Sequence, residues 1–145
     1  MEDLVMPIQI RWSDLDPNFH LRHSVYYDWG AVCRVEYLNK AGLTLQRMQQ
    51  LQIGLILFRE ECVFRREIRM GDVVTIDAKI LKARRDFSRF TIQHVIKKDS
   101  ETMSAIITVD IAWISAVTRK LAAIPEEDSK LLMEAQRTEN FQWED

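Results

Sequence analysis

Glycine and proline are scarce, four and three in 145 residues. A chain with so little of either has little material for flexible linkers or low-complexity segments, and no internal repeat is visible. Cysteine is scarcer still. Cys33 and Cys62 make neither a disulfide framework nor a paired metal knuckle, and both are expected to be reduced, buried, small apolar residues. No apolar run approaches the roughly 18–20 residues that cross a bilayer. The net charge is only -2, which gives nucleic acid or an acidic membrane no broad basic surface. The opening Met1-Glu2-Asp3-Leu4 is acidic where a secretory signal carries lysine or arginine, so the expected compartment is the cytoplasm.

What is present describes one ordinary core. The chain is 47% apolar and 29% charged, and its length suits a single domain. Leu4 to Trp12 reads as a first strand. Ser24 to Lys40 reads as a helix, with Gly42 as its stop. Val25, Trp29, Val32 and Glu36 share one face of that helix, with Tyr26, Cys33 and Tyr37 beside them. This apolar arc is wider than a surface helix needs, so the helix is expected to be mostly enclosed. A short helical stretch follows around Leu45–Gln50. Beyond it, Val74, Ile76, Ala78 and Ile80 alternate with polar neighbours, as do Phe90, Ile92, His94 and Ile96. Ile106 to Ile114 is apolar on both faces and reads as a central strand. Turn residues near Arg85-Asp86 and at Lys98-Asp99-Ser100 make these strands antiparallel. Pro125 opens a last helix, with acids at its positive end. The expectation is an α+β domain over residues 1–137 with a tail over 138–145. One sheet face is covered by the helix and the other by a second subunit, so a homodimer or homotetramer is expected.

The densest polar cluster runs from Arg11 to Ser24, leaving a strand and entering the enclosed helix. A carboxylate there could attack a carbonyl carbon or activate water, and the free amides of a helix start could polarise the carbonyl oxygen. Asp16 could equally do no more than cap a turn before Pro17. His20 and His23, at His-x-x-His spacing with Asp14 and Asp16 nearby, could be read as metal ligands. The blander reading has both histidines bonding loop backbone, and no metal is expected. Trp29, Phe58, Phe64 and Phe90 are read as core.

These residues carry a resemblance. Arg11-Trp12, Asp14-Leu15-Asp16, His20 and Tyr26 resemble the signature of hotdog-fold acyl-CoA thioesterases of the 4-hydroxybenzoyl-CoA type. The resemblance continues through Arg34-Val35-Glu36-Tyr37-Leu38, Met70-Gly71-Asp72-Val73-Val74, Trp113-Ile114-Ser115 and Ala123-Ile124-Pro125. It implies a hotdog fold, an antiparallel sheet wrapped around one long central helix, and a thioester hydrolase without a cofactor beyond the coenzyme A of its substrate. By the same resemblance Asp16 is the catalytic carboxylate and an amide near His23 holds the thioester oxygen. His20 and Tyr26 then contact substrate, and Arg84, Arg85 and Arg89, with Lys82, bind the phosphates of coenzyme A. That basic run could also be solvated charge protecting a sheet edge. The chain departs from the family pattern at Phe19, where glycine is usual, and at Arg22 and His23. A phenylalanine does not easily take positive φ, so the loop must follow another path or carry strain. Ala31 and Val32 replace acidic residues common in this helix and leave Arg34 without its usual neighbour; Glu36 is a poorly placed substitute. Two alternatives stand beside acyl-CoA hydrolysis. One is a thioesterase acting on acyl-carrier protein, docked through Arg84, Arg85 and the Arg65–Arg69 region. The other is a non-catalytic acyl-binding hotdog protein.

Overall fold

The computed structural model describes residues 3–144; Met1 and Glu2 of the acidic opening and the final Asp145 lie outside the described residues. In chain order the elements are β1 (Val5–Ile8), a 3-10 turn (Trp12–Asp14), α1 (His23–Lys40), α2 (Leu45–Leu51), β2 (Ile53–Phe64), β3 (Val74–Asp77), β4 (Lys79–Ala83), β5 (Arg89–Lys98), β6 (Thr102–Ser115), α3 (Glu126–Met133) and β7 (Arg137–Trp143). β1 pairs with β3, β3 and β4 both pair with β5, β5 with β6, and β6 with β2, all antiparallel. β7 lies parallel beside β4. Among the described strands β2 has β6 as its one partner, so it forms an edge of the sheet.

The alternation read in the sequence sets the core. Val74, Ile76, Ala78 and Ile80 are all buried, as are Phe90, Ile92, His94 and Ile96. All but His94 meet Val25, Tyr26, Cys33, Tyr37 and Leu38 of α1 in one cluster. The sheet thus closes around the long helix, the hotdog architecture expected from the sequence. β6, apolar on both faces, is central as expected, flanked by β5 and β2. The hairpin turns fall where the turn residues placed them, with Phe87, Asp99 and Ser100 at positive φ. Gly42, at φ +91, ends α1 in a conformation that a side chain would strain. No helix among the described residues is long and apolar enough to cross a membrane.

Four expectations need correction. The first strand ends at Ile8 rather than near Trp12. Asp14 draws the chain aside there: its carboxylate accepts from the Arg11 backbone and guanidinium, which shapes the 3-10 turn. The segment read as a tail is largely strand β7. The helix is also less enclosed than its apolar arc suggested. The sheet covers one side only, and Val32 and Val35 remain exposed on the other. Cys62, finally, is half-buried rather than buried like Cys33.

Candidate active site

The loop between β1 and α1 is folded by Asp16 itself. Its Oδ1 accepts from the Asn18 amide at 2.8 Å and from the His20 amide at 3.2 Å, and its backbone carbonyl accepts from the Phe19 amide at 2.9 Å. Phe19 therefore sits at φ 64, and the loop carries the strain of that conformation. The turn-capping role for Asp16 is real, but it uses one carboxylate oxygen. Oδ2 accepts none of the described hydrogen bonds, and the side chain lines a cavity of about 340 Å³.

The same cavity is lined by His20, His23 and Tyr26, so four of the residues singled out in the sequence meet in one place. The elements responsible are the turn just described and the start of α1. Arg22 precedes the helix in an extended conformation and offers no side-chain cap. The His23 amide, at the first helical position, has no intrahelical acceptor by geometry and carries the partial positive charge of the helix start. Asp14, by contrast, is buried against Arg11, whose hydrogen bonds hold its carboxyl below the usual range. Asp14 accordingly builds the loop, and Asp16 faces the cavity.

Sequence reasoning missed the opposite wall. Leu21 donates its amide to the Ile68 carbonyl at 2.7 Å, and His20 bridges to Arg69, which ties the loop to the segment after β2. That contact brings Phe64, Arg65, Arg66 and Glu67 to the cavity. Phe64, read as core, is instead half-exposed, with its ring edge-on to Tyr26 at 4.9 Å. His20 Nε2 lies 2.8 Å from Glu67 Oε2, so its partner is a side chain rather than loop backbone. Burial pushes the Tyr26 phenol up to about 12, which leaves it a neutral hydroxyl at the wall. The thiols of Cys33 and Cys62 are pushed up by burial to about 12 and about 11, so neither is poised as a nucleophile. Among the described residues no group of three His, Cys, Asp or Glu side chains is placed to hold a metal.

Arg84, Arg85 and Arg89 are not brought to this cavity within the protomer. They stand on the β4–β5 hairpin, with Arg85 over the Trp143 ring and Arg89 over the Phe58 ring. Phe58, read as core, is half-exposed there, whereas Phe90 is buried as expected. The register fixes the level of each. Ala112 of β6 is flanked by Ile56 and Arg89, and Ala105 by Phe64 and Ile96. The basic hairpin is thus at one end of the sheet and Asp16 at the other.

Among curated proteins none matches the sequence. Several solved structures share the fold. A hypothetical protein of Staphylococcus aureus, solved in complex with CoA, superposes with TM-score 0.86 at 21% identity, covering 94% of this chain and 87% of that one. A DHNA-CoA thioesterase from Staphylococcus aureus gives TM-score 0.80 at 16% identity, with 90% and 88% covered. A 1,4-dihydroxy-2-naphthoyl-CoA thioesterase from Synechocystis gives 0.78 at 17% identity, with 92% and 97% covered. The model of the thioesterase-like superfamily matches residues 10–135, from just after β1 to just past α3, and this chain belongs to that superfamily.

Proposed function

We propose that the chain hydrolyses an acyl-CoA thioester in the manner of the 4-hydroxybenzoyl-CoA type, with Asp16 supplying the reacting carboxylate. The observation that carries this reading is the placement of Asp16. One oxygen is held by its own turn, the other accepts none of the described hydrogen bonds, and the side chain lines a cavity that His23 at the start of α1 also lines. With the thioester oxygen on the His23 amide, negative charge developing on that oxygen meets a fixed donor and the helix dipole. Asp16 Oδ2 then attacks the carbonyl carbon, the C–S bond breaks, and the CoA thiolate leaves to take a proton from solvent. Water hydrolyses the resulting anhydride and restores the carboxylate. If Asp16 acts as a base instead, Oδ2 takes the proton of the attacking water and the thiolate leaves directly. Single-turnover hydrolysis in oxygen-18 water reports the anhydride route, because label reaches the Asp16 carboxylate only when water opens an anhydride at its aspartyl carbonyl.

A dimer completes this reading. β2 is a twelve-residue edge strand with exposed Leu57, Phe58, Val63 and Phe64, the kind of edge a protein ordinarily covers. Antiparallel pairing of β2 with a second copy about its midpoint brings the Phe64 end of one protomer to the Ile53 end of the other. Exposed Val32 and Val35 of α1 are then available for cover, and the arginine-rich hairpin of one copy approaches the Asp16 cavity of the other. Arg84, Arg85 and Arg89 can then meet CoA phosphates across the interface, where guanidinium suits the geometry.

The test is thiol release from a panel of aromatic and aliphatic acyl-CoA thioesters. Turnover of about 1 s⁻¹ or faster is expected on at least one of them. No release from any would overturn the hydrolase reading in favour of an acyl-binding protein. A carrier-protein substrate has its own support, since Arg65 and Arg66 line the Asp16 cavity and are exposed. In that case Arg65→Glu with Arg66→Glu weakens acyl-carrier-protein turnover far more than acyl-CoA turnover.

A further inference from the structure

A second cavity, of about 430 Å³, lies between α1, α2 and the start of β2. Val35, Leu38, Leu43, Met48 and Leu55 give it an aliphatic wall, and Arg34 is the one charged side chain in its lining. The size suits a small acyl group, and a single polar group in an apolar pocket is the usual device for orienting a ligand.

Arg34 is 6% exposed, and its one ion pair among the described residues, with Glu60, is long. Nη1 lies 3.2 Å from His94 Nε2, while His94 Nδ1 lies 2.9 Å from the Asp77 carbonyl. The carbonyl can only accept, so Nδ1 carries the proton and Nε2 accepts from the guanidinium. Burial and the neighbouring Arg34 push the imidazolium down to about 3, so this partner is neutral. Glu60 supplies a counter-charge 3.6 Å from Nη2, an ion pair too long to be a hydrogen bond, so it leaves N–H donors of the guanidinium unfilled. A guanidinium has five N–H donors, and a buried one with incomplete compensation gains strongly from an anion.

The helix is cut away around this group. A Cβ on Gly30 would stand 3.3 Å from Nη1, so the glycine admits the guanidinium. Ala31 also lines the cavity and is exposed, one turn before Arg34 on the same helix. An aspartate there would face the guanidinium, and alanine leaves it open. The cavity sits at the Ile53 end of β2, the end that self-pairing of β2 brings to the Asp16 cavity of the other copy.

We propose that this cavity receives the acyl group and that Arg34 selects acyl groups carrying a carboxylate at the end far from the thioester. As a choice of substrate class this rests on the hydrolase reading; as an anion site it stands on the cavity alone. Binding and turnover therefore test it separately. Benzoate and benzyl alcohol share a shape and differ in charge. NMR titration is expected to show benzoate binding at least about tenfold more tightly, since a hydrogen bond to a charged group is worth that much or more. Ala31→Asp, on an exposed site, is expected to abolish the difference by covering the guanidinium, and Arg34→Met to do the same by removing it. Equal binding of the two probes, or a preference that survives Ala31→Asp, overturns the proposal. Hydrolysis of 4-carboxybenzoyl-CoA against benzoyl-CoA then reads the same selectivity as a ratio of kcat/KM. A ratio about tenfold in favour of the carboxylated substrate, lost in Ala31→Asp, supports it. Turnover of both at equal kcat/KM overturns the substrate class and leaves the hydrolase standing. Benzoate preference without turnover of any thioester supports the anion site and removes the hydrolase.

Discussion

Phe19 occupies a left-handed conformation that a bulky residue rarely takes, and no buried contact of its ring accounts for it. The side chain is 64% exposed, and its nearest ring is the equally open Trp12, with centroids 6.4 Å apart. The conformation is imposed by the turn that Asp16 closes through its carbonyl and Oδ1. Left-handed backbone costs a non-glycine residue about 1–2 kcal/mol. Phe19→Gly is therefore expected to stabilise the protein by about 1 kcal/mol, a rise in Tm of a few degrees for a domain of this size. A fall in Tm would show that the Trp12–Phe19 contact outweighs the strain. His94 makes a second prediction at this scale. Its folded value, about 3, lies below the 6.5 of an unperturbed histidine, so the unfolded chain binds the extra proton between those limits. Its contribution is complete above about pH 6.5 and is lost as pH falls towards 3, by up to about 1.4 kcal/mol per pH unit. His94→Gln is expected to flatten that part of the stability profile. Identical slopes in urea titrations of parent and variant between pH 6 and 4 would contradict the buried, neutral imidazole.

At the scale of elements, the long strand through residues 74–83 breaks at Ala78, and Gln136 occupies the break. Its side-chain amide donates to the Ala78 carbonyl and accepts from the Leu4 amide at 2.7 Å. Its own carbonyl takes the Tyr37 hydroxyl at 2.7 Å and the Ile80 amide at 3.0 Å. One residue thus joins α1, β4 and the chain entering β1. Gln136→Leu leaves those side-chain partners unsatisfied and is expected to cost about 2–3 kcal/mol, read as a lower urea midpoint at unchanged m. A change below about 0.5 kcal/mol, the range of an ordinary surface substitution, would show that water replaces the amide freely. The elements that were legible in the sequence are those with a local signal. β3, β4 and β5 alternate, β6 is apolar throughout, α1 ends at a glycine, and the hairpins carry turn residues. β2 escaped because Arg59-Glu60-Glu61 interrupts its apolar run and an open edge lets apolar and charged residues share both faces. β7 escaped because Arg137–Trp143 is mostly polar and becomes strand through parallel pairing with distant β4. The candidate site divides in the same way. Asp16, His20, His23 and Tyr26 lie within eleven consecutive residues and were read together. Phe64 to Glu67 join them through contacts across the fold, and Arg34 was invisible as a pocket group because a charge inside a core breaks the rule that sequence reading uses.

For the whole molecule, the sheet has two unlike ends. One holds the Asp16 cavity, and the other holds the Arg34 cavity and the arginine-rich hairpin. Neither end of a single protomer brings the Asp16 carboxylate, the Arg34 cavity and the basic hairpin together. In the proposed dimer, self-pairing of β2 would do so, and it would also cover the exposed apolar edge. All of this depends on Asp16 carrying the chemistry rather than only its turn. Asparagine at position 16 keeps an oxygen for the Asn18 and His20 amides and removes only the charge, so the comparison isolates one from the other. The measurement is kcat of Asp16→Asn against the parent on its best thioester, with Tm recorded for both. The expected result is an unchanged Tm and a kcat lower by about a hundredfold or more. Equal kcat values at equal Tm would contradict the account.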